Sequence, residues 1–254
     1  MPHPSPCRYA RGFTLVELSI VLVIISLLVG ALVGLRSYVN NARLSNVMNE
    51  SKIYINAFNQ FQTRYGSPPG DYATASSAWT GAGNGDGNGL IRAATTAVPL
   101  ERYYAFQHLA LAGFISGSYT GAVNGTGGAT IGLNVPGSSM DKVSFIFDHP
   151  DQQDGILTSA DSTYFAGTYG NILRIAGLND NATNIPDQPF LTPKQAYQLD
   201  DKFDDGQPGT GNIVTPISTA LSNCATTAVS TTAAYASATT YADTKTCYLF
   251  VKIQ

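Results

Sequence analysis

Between residues 13 and 65 the chain contains no proline, and the first 23 residues of that stretch, FTLVELSIVLVIISLLVGALVGL, are almost all apolar. At 1.5 Å per helical residue, such a run is long enough to cross a hydrocarbon core of about 30 Å. A secretory signal peptide has a shorter apolar core and a small-residue cleavage site behind it. This run is longer and no Ala-x-Ala closes it, so a retained membrane helix is expected. Beyond Leu35 the pattern becomes amphipathic. Leu44, Val47, Ser51, Tyr54, Phe58, Phe61 and Tyr65 recur at steps of three and four, the spacing of one helical face. Arg43, Asn46, Glu50, Asn56, Asn59 and Gln60 fall largely between them, and Ser67-Pro68-Pro69-Gly70 stops the helix. A helix of about 50 residues is about 75 Å long, too long for an isolated globular core, so half of it is expected to protrude.

Glu17 interrupts the apolar run. A carboxylate there costs about 2.5 kcal/mol or more unless it is paired. It either snorkels to the headgroups or meets a counter-charge with a function. The residues around it bear on that choice. Arg11-Gly12-Phe13-Thr14-Leu15-Val16-Glu17 resembles the prepilin processing motif of type IV pilins and type II secretion pseudopilins, with a basic leader, a Gly before the cut, Phe after it and Glu at the fifth mature position. The resemblance implies that a prepilin peptidase/methyltransferase cuts between Gly12 and Phe13 and N-methylates Phe13. It also implies that Glu17 pairs with the freed amine of a neighbouring subunit, which agrees with the need of a buried carboxylate for a cation.

On this reading residues 1–12 are a removable leader and 13–35 a transmembrane and assembly helix. Residues 36–66 are its amphipathic continuation, and 67–254 a periplasmic or extracellular head. The expected fold class is α+β, a pilin fold in which the long helix packs on a small antiparallel sheet. The implied partners are other copies of the chain, other pilins and an inner-membrane assembly platform. Orientation, N-in and C-out, follows from the motif alone, because Arg36, Arg43 and Lys52 after the span nearly balance Arg8 and Arg11 before it. The subunit would sit in the inner membrane and then in a pilus or pseudopilus. The rival reading is a minor, tip-located pilin that acts as an adhesin or ligand-binding module. Gly30 and Gly34 form a Gly-x-x-x-Gly pair that permits close helix packing.

Charged residues make up only 12% of the chain and the net charge is −3, so no electrostatic footprint for nucleic acid is present. Loss of residues 1–12 would remove Cys7 and leave Cys224 and Cys247 as an even pair, which suits a disulfide in an oxidising compartment. In the head, residues 100–113 read as a second helix stopped by Gly113, and residues 143–147, 171–175 and 247–253 as strands. Thr192 as N-cap and Pro193 in the first turn open a third helix, running to about Phe203. Residues 225–244, rich in Ala, Thr and Ser, are expected to be a surface excursion tied off by the two cysteines. The last strand is expected to bury Leu249, Val251 and Ile253 on one face and to cover the Tyr54–Phe58–Phe61 stripe. Four further groups, Tyr65-Gly66-x-Pro68-Pro69-Gly70-Asp71, Gly85-Asp86-Gly87-Asn88-Gly89-x-Ile91, Gln107-His108-Leu109-Ala110 and Asp201-Lys202-x-Asp204-Asp205-Gly206-x-Pro208, stand in an order that resembles a recurring set of bacterial prepilin-type proteins.

Asn84, Asp86 and Asn88 offer side-chain oxygens at alternate positions, as in the first half of an EF-hand loop, with Asp71 or Glu101 available in place of the missing twelfth-position Glu. Two readings stay open for this loop, a structural calcium ion and a Gly/Asn turn that holds no ion; no cofactor is required. Asp200, Asp201, Asp204 and Asp205 form a second acidic group at a helix C-terminus, and Asp151, Asp154 and Asp161 a weaker third. Catalysis has little support, since no G-x-S-x-G, H-E-x-x-H or P-loop is present. His108 is expected to be structural, and His149 supports nothing by itself. The chain reads as a polymer subunit and not as an enzyme.

Overall fold

The computed structural model describes residues 12–92, 101–122, 128–150, 156–157, 164–178, 186–216, 223–237 and 242–253; the side chains of 31–37 and 156–157 are not described. Helix α1, Leu15–Tyr65, is a single uninterrupted element of 51 residues. Its start is a capping box. The Thr14 N–H and hydroxyl both donate to Glu17 Oε2 at 2.9 Å, and the Glu17 N–H donates to Thr14 Oγ1 at 3.2 Å. It ends where Gly66, at φ 72, turns the chain and donates back to the Gln62 carbonyl, with two prolines following. The chain divides into two compact units, residues 1–43 and 44–254.

In the first unit the described apolar side chains are exposed: Phe13, Leu15, Val16 and every large aliphatic residue from Leu18 to Val29 keep at least 50% of their surface. A Cβ at Gly30 would meet nothing within 4 Å, and residue 34 lies outside the described side chains. Among the described residues no helix is long and apolar enough to cross a membrane.

The second unit holds the core. The expected stripe is confirmed: Leu44, Val47, Ser51, Phe58 and Phe61 are buried, joined by Met48 and Ala57. What covers it differs from expectation. Tyr54 packs on Phe106 of α3 (Glu101–Leu111) and on Phe145 of β1 (Val143–Asp148), with ring centroids 5.5 and 5.0 Å apart. Phe58 meets Phe147 at 5.1 Å, and Phe61 lies among Tyr65, Tyr72, Trp79, His108 and Phe114. Helix α3 and the first strand therefore supply the rings that cap the stripe.

The last strand, β6 (Leu249–Lys252), is an interior strand of an antiparallel four-stranded sheet. The order is β1, β4 (Ile172–Gly177), β6, β5 (Ile213–Val214), with Phe145 opposite Ile175, Ile175 opposite Leu249 and Val214 opposite Phe250. Leu249, Phe250 and Val251 are all buried, so both faces of the strand are covered and the expected one-sided alternation is absent. β2 (Ile156–Leu157) and β3 (Gly167–Thr168) form a separate two-stranded ribbon. The arrangement is α+β, as expected.

Helix α4, Pro193–Phe203, opens on Thr192 as expected. Thr192 Oγ1 accepts the Gln195 N–H, and Gln195 Oε1 accepts the Thr192 N–H. Pro193, Ala196, Leu199 and Asp200 are buried, and the helix reaches α1 through Lys202, whose Nζ donates to Ser45 Oγ at 3.1 Å. A short α2, Ala75–Ala78, lies in the connection after α1. Cys224 and Cys247 are bonded, which closes a loop worth on the order of 3 kcal/mol in the chain-entropy picture. The segment between them is not a pure surface excursion. The Ala236 N–H donates to the Cys224 carbonyl and the Thr226 N–H to the Ala234 carbonyl, and Ala233, Tyr235 and Ala236 are buried. A low-complexity run still folds inward where a small side chain or a tyrosine fits.

Candidate functional site

Two regions carry the functional residues of the sequence reading. Gly12 and Phe13 lie outside α1 and are exposed, with Thr14 between them and the first helical turn. Glu17 sits at the third helical position, where its carboxylate satisfies the free N–H of Thr14 and favours the positive end of the helix dipole. The sequence signal for this cap is the Thr14-x-x-Glu17 spacing.

In the head, the Gly-rich loop is ordered by acceptors. Asp71 Oδ1 accepts the N–H groups of Gly87 (2.7 Å) and Asn88 (3.0 Å), and its Oδ2 accepts the Gly89 N–H (2.8 Å) and the Ser67 hydroxyl (3.2 Å). Glu101 Oε1 accepts the Asp86 N–H and Oε2 the Arg92 N–H, both at 3.0 Å. The loop can wrap this tightly only because of its glycines: a Cβ at Gly85 would collide with the Asp71 backbone, and one at Gly70 (φ 97) with the Glu101 carbonyl. Asn171, just before β4, pins the far side by accepting the Ile91 N–H and donating to the Gly89 carbonyl. Main-chain freedom is thus removed by two buried carboxylates.

Carboxylate oxygens of Asp71, Asp86 and Glu101 come within 4.8 Å of one another, which is donor chemistry suited to a hard divalent ion. The two amides expected as ligands do not join them. Asn84 Oδ1 accepts the Ser76 N–H, and Asn88 Oδ1 accepts the Leu90 N–H while its amide donates to Asp86. A calcium ion in this loop would rest on the three carboxylates alone. The group Asp151, Asp154 and Asp161 lies outside the described residues.

His108 is a structural staple in this fold. Nδ1 accepts the Gly70 N–H at 2.9 Å and Nε2 donates to the Gly83 carbonyl at 2.7 Å, so the ring is neutral and ties both ends of the connection after α1. Burial holds its pKa down to about 4.

The prokaryotic N-terminal methylation motif matches residues 7–33. This chain carries the signature of type IV pilins and pseudopilins. No curated protein and no solved structure matches it. The motif implies polymerisation and processing by prepilin peptidase, and it points to a structural protein. The matched residues span Gly12, Phe13, the capping box and the exposed apolar side chains up to Val29, and they leave the head to be read from its own geometry.

One consequence of that geometry is a pH dependence. Burial raises Glu101 to about 7 and Asp200, at the end of α4, also to about 7, and it raises Asp71. A carboxyl raised in the folded state binds its proton more tightly there than in the unfolded chain. Its stabilisation is therefore full at low pH and lost as pH rises through about 7. Each such group contributes at most about 1.4 kcal/mol per pH unit. His108 runs the opposite way, but only below its unfolded value of 6.5. In a chelator, the melting temperature of the chain is therefore expected to rise as pH falls from 8 to 6.5. Glu101→Gln and Asp200→Asn should each flatten the slope. A wild-type melting temperature that falls or stays level over that window would refute the assignment.

Proposed function

We propose that the chain is a structural subunit of a type IV pilus or type II secretion pseudopilus. In this reading it is inserted N-in, C-out through residues 13–35, cleaved after Gly12 and polymerised through its N-terminal helix. The observation that carries this is the methylation motif at residues 7–33 on a helix whose large apolar side chains from Leu15 to Val29 are all at least half exposed. Apolar surface on that scale marks a membrane or protein contact. Inside a filament, copies of the same helix would cover it.

Glu17 has two separable tasks in this reading, closing the capping box and supplying a negative charge to a neighbour's N-terminal amine. Gln at this position keeps the capping box without the charge, whereas Val loses both. Glu17→Val is expected to cost about 1 kcal/mol of helix-start stability yet remain inserted and cleaved. Sheared-filament yield relative to the membrane pool should collapse in Glu17→Val and Glu17→Gln alike. Normal filaments from Glu17→Gln would reduce Glu17 to a cap, and normal filaments from Glu17→Val would remove it from assembly altogether.

A further inference from the structure

The C-terminal end of α4 holds a second group of acids, and it differs from the Asp71 loop in one respect. Asp200, Asp204 and Asp205 each place a carboxylate oxygen within 4.8 Å of the others. Asp200 is fully buried. Its Oδ2 accepts the Tyr235 hydroxyl at 2.8 Å, while its Oδ1 is buried with no hydrogen-bond partner. Every carboxylate oxygen of Asp71, Asp86 and Glu101, by contrast, accepts at least one donor.

The neighbouring acids are held in place with capacity to spare. Asp204 Oδ2 accepts the N–H groups of Asn212 and Ile213, and Asp204 Oδ1 has only a 3.4 Å contact with the Asn212 amide. Asp205 accepts the Gln207 N–H on Oδ1 and the Thr210 hydroxyl on Oδ2. No described cation forms a salt bridge with any of the three; the described ion pairs lie at Asp148. Lys252 on β6 feels their field, but its Nζ sits over the Tyr169 ring, 5.0 Å from the centroid. Three like charges are thus gathered at the negative end of a helix dipole, one of them buried with an orphan oxygen. Each of these facts is unfavourable without a positive charge among them.

We propose that Asp200, Asp204 and Asp205 form a site for a hard divalent cation of the calcium type, with Asp200 Oδ1 as its buried ligand. All-oxygen donors select calcium or magnesium over softer metals, and calcium accepts the irregular geometry of a helix end completed by carbonyls and water. The ion would tie the end of α4 to the 204–213 loop that leads into β5. Through Tyr235 it would also reach the disulfide-closed segment.

The test is calorimetric titration of the EDTA-stripped full-length chain in detergent with calcium chloride at pH 7.5. Wild type is expected to show a saturable event that survives Asp86→Asn and weakens by about tenfold or more in Asp200→Asn and in Asp204→Asn. A hundredfold excess of calcium over Kd should raise the melting temperature by about 5–10 °C in wild type and not in Asp200→Asn. Asp205→Asn, on the exposed side, serves as a third variant should Asp200→Asn lose its circular dichroism signal. Absence of saturable binding in wild type overturns the proposal. So does binding that only Asp86→Asn abolishes, which would place calcium in the Asp71 loop.

Discussion

Asp148→Ala is expected to lower the melting temperature of the folded chain by about 6–20 °C, the largest single-residue effect in the head. Asp148, at the end of β1, is fully buried between two guanidinium groups. Arg102 of α3 pairs with Oδ1, and Nη2 of Arg174 on β4 lies 2.7 Å from Oδ2. Arg174 also donates to the Tyr164 hydroxyl at 2.6 Å and stacks over the Phe250 ring. Removing the carboxylate leaves two buried cations, with Asp187 as the remaining acid whose field acts on Arg174. Truncating one partner of a buried pair costs about 3–5 kcal/mol, and each kcal/mol moves the transition of a domain this size by about 2–4 °C. The expense lies in the stranded charge and not in lost attraction, so the triple change Arg102→Met, Asp148→Leu, Arg174→Met should recover most of the loss. Thermal melts of the single and triple variants decide it. An Asp148→Ala variant within about 1 kcal/mol of wild type would mean that water or Asp187 already neutralises the pair.

This network shows where sequence reasoning stopped. The buried face of α1 was legible because helical spacing repeats over six turns, so no single residue had to be right. The Thr192 cap and the Cys224–Cys247 bond were legible because each rests on local chemistry or on a count. Arg174 left a weaker trace, a charge inside the strand Ile172-Leu173-Arg174-Ile175, and Asp148 another, at the end of an apolar strand. Pairing them needs the β1–β4 register, and Arg102 arrives from a helix distant in sequence. The loop at 84–89 was read as a ligand set because alternate oxygens fit that template. The competing solution, a distant Asp71 accepting successive N–H groups, has no periodic signature. β5 is two residues long, below what alternation can reveal. Tyr235 was hidden by its low-complexity surroundings, although a tyrosine in an Ala/Thr/Ser run is itself the exception that the Asp200 contact explains.

At the other end of the chain, replacing Gly12 with valine is expected to leave nearly all of the subunit at precursor mass. On the proposed reading the processing point lies between Gly12 and Phe13, and both residues precede the helix and are exposed. A peptidase needs an extended backbone, and the capping box of Thr14 and Glu17 fixes where extension ends and helix begins. A Cβ at Gly12 would meet nothing within 4 Å in this chain, so the substitution disturbs no packing of its own. Loss of cleavage would then report on the small slot of the enzyme and not on a misfolded substrate. Gly12→Ala, which adds one methyl group, should be cut more slowly than wild type but faster than Gly12→Val. Intact-mass analysis of membrane and filament fractions is the readout, with the wild-type mature chain beginning at N-methylated Phe13. Normal processing of Gly12→Val, or a wild-type chain that retains Met1 in the filament, would separate this chain from the pilin pathway that its motif implies.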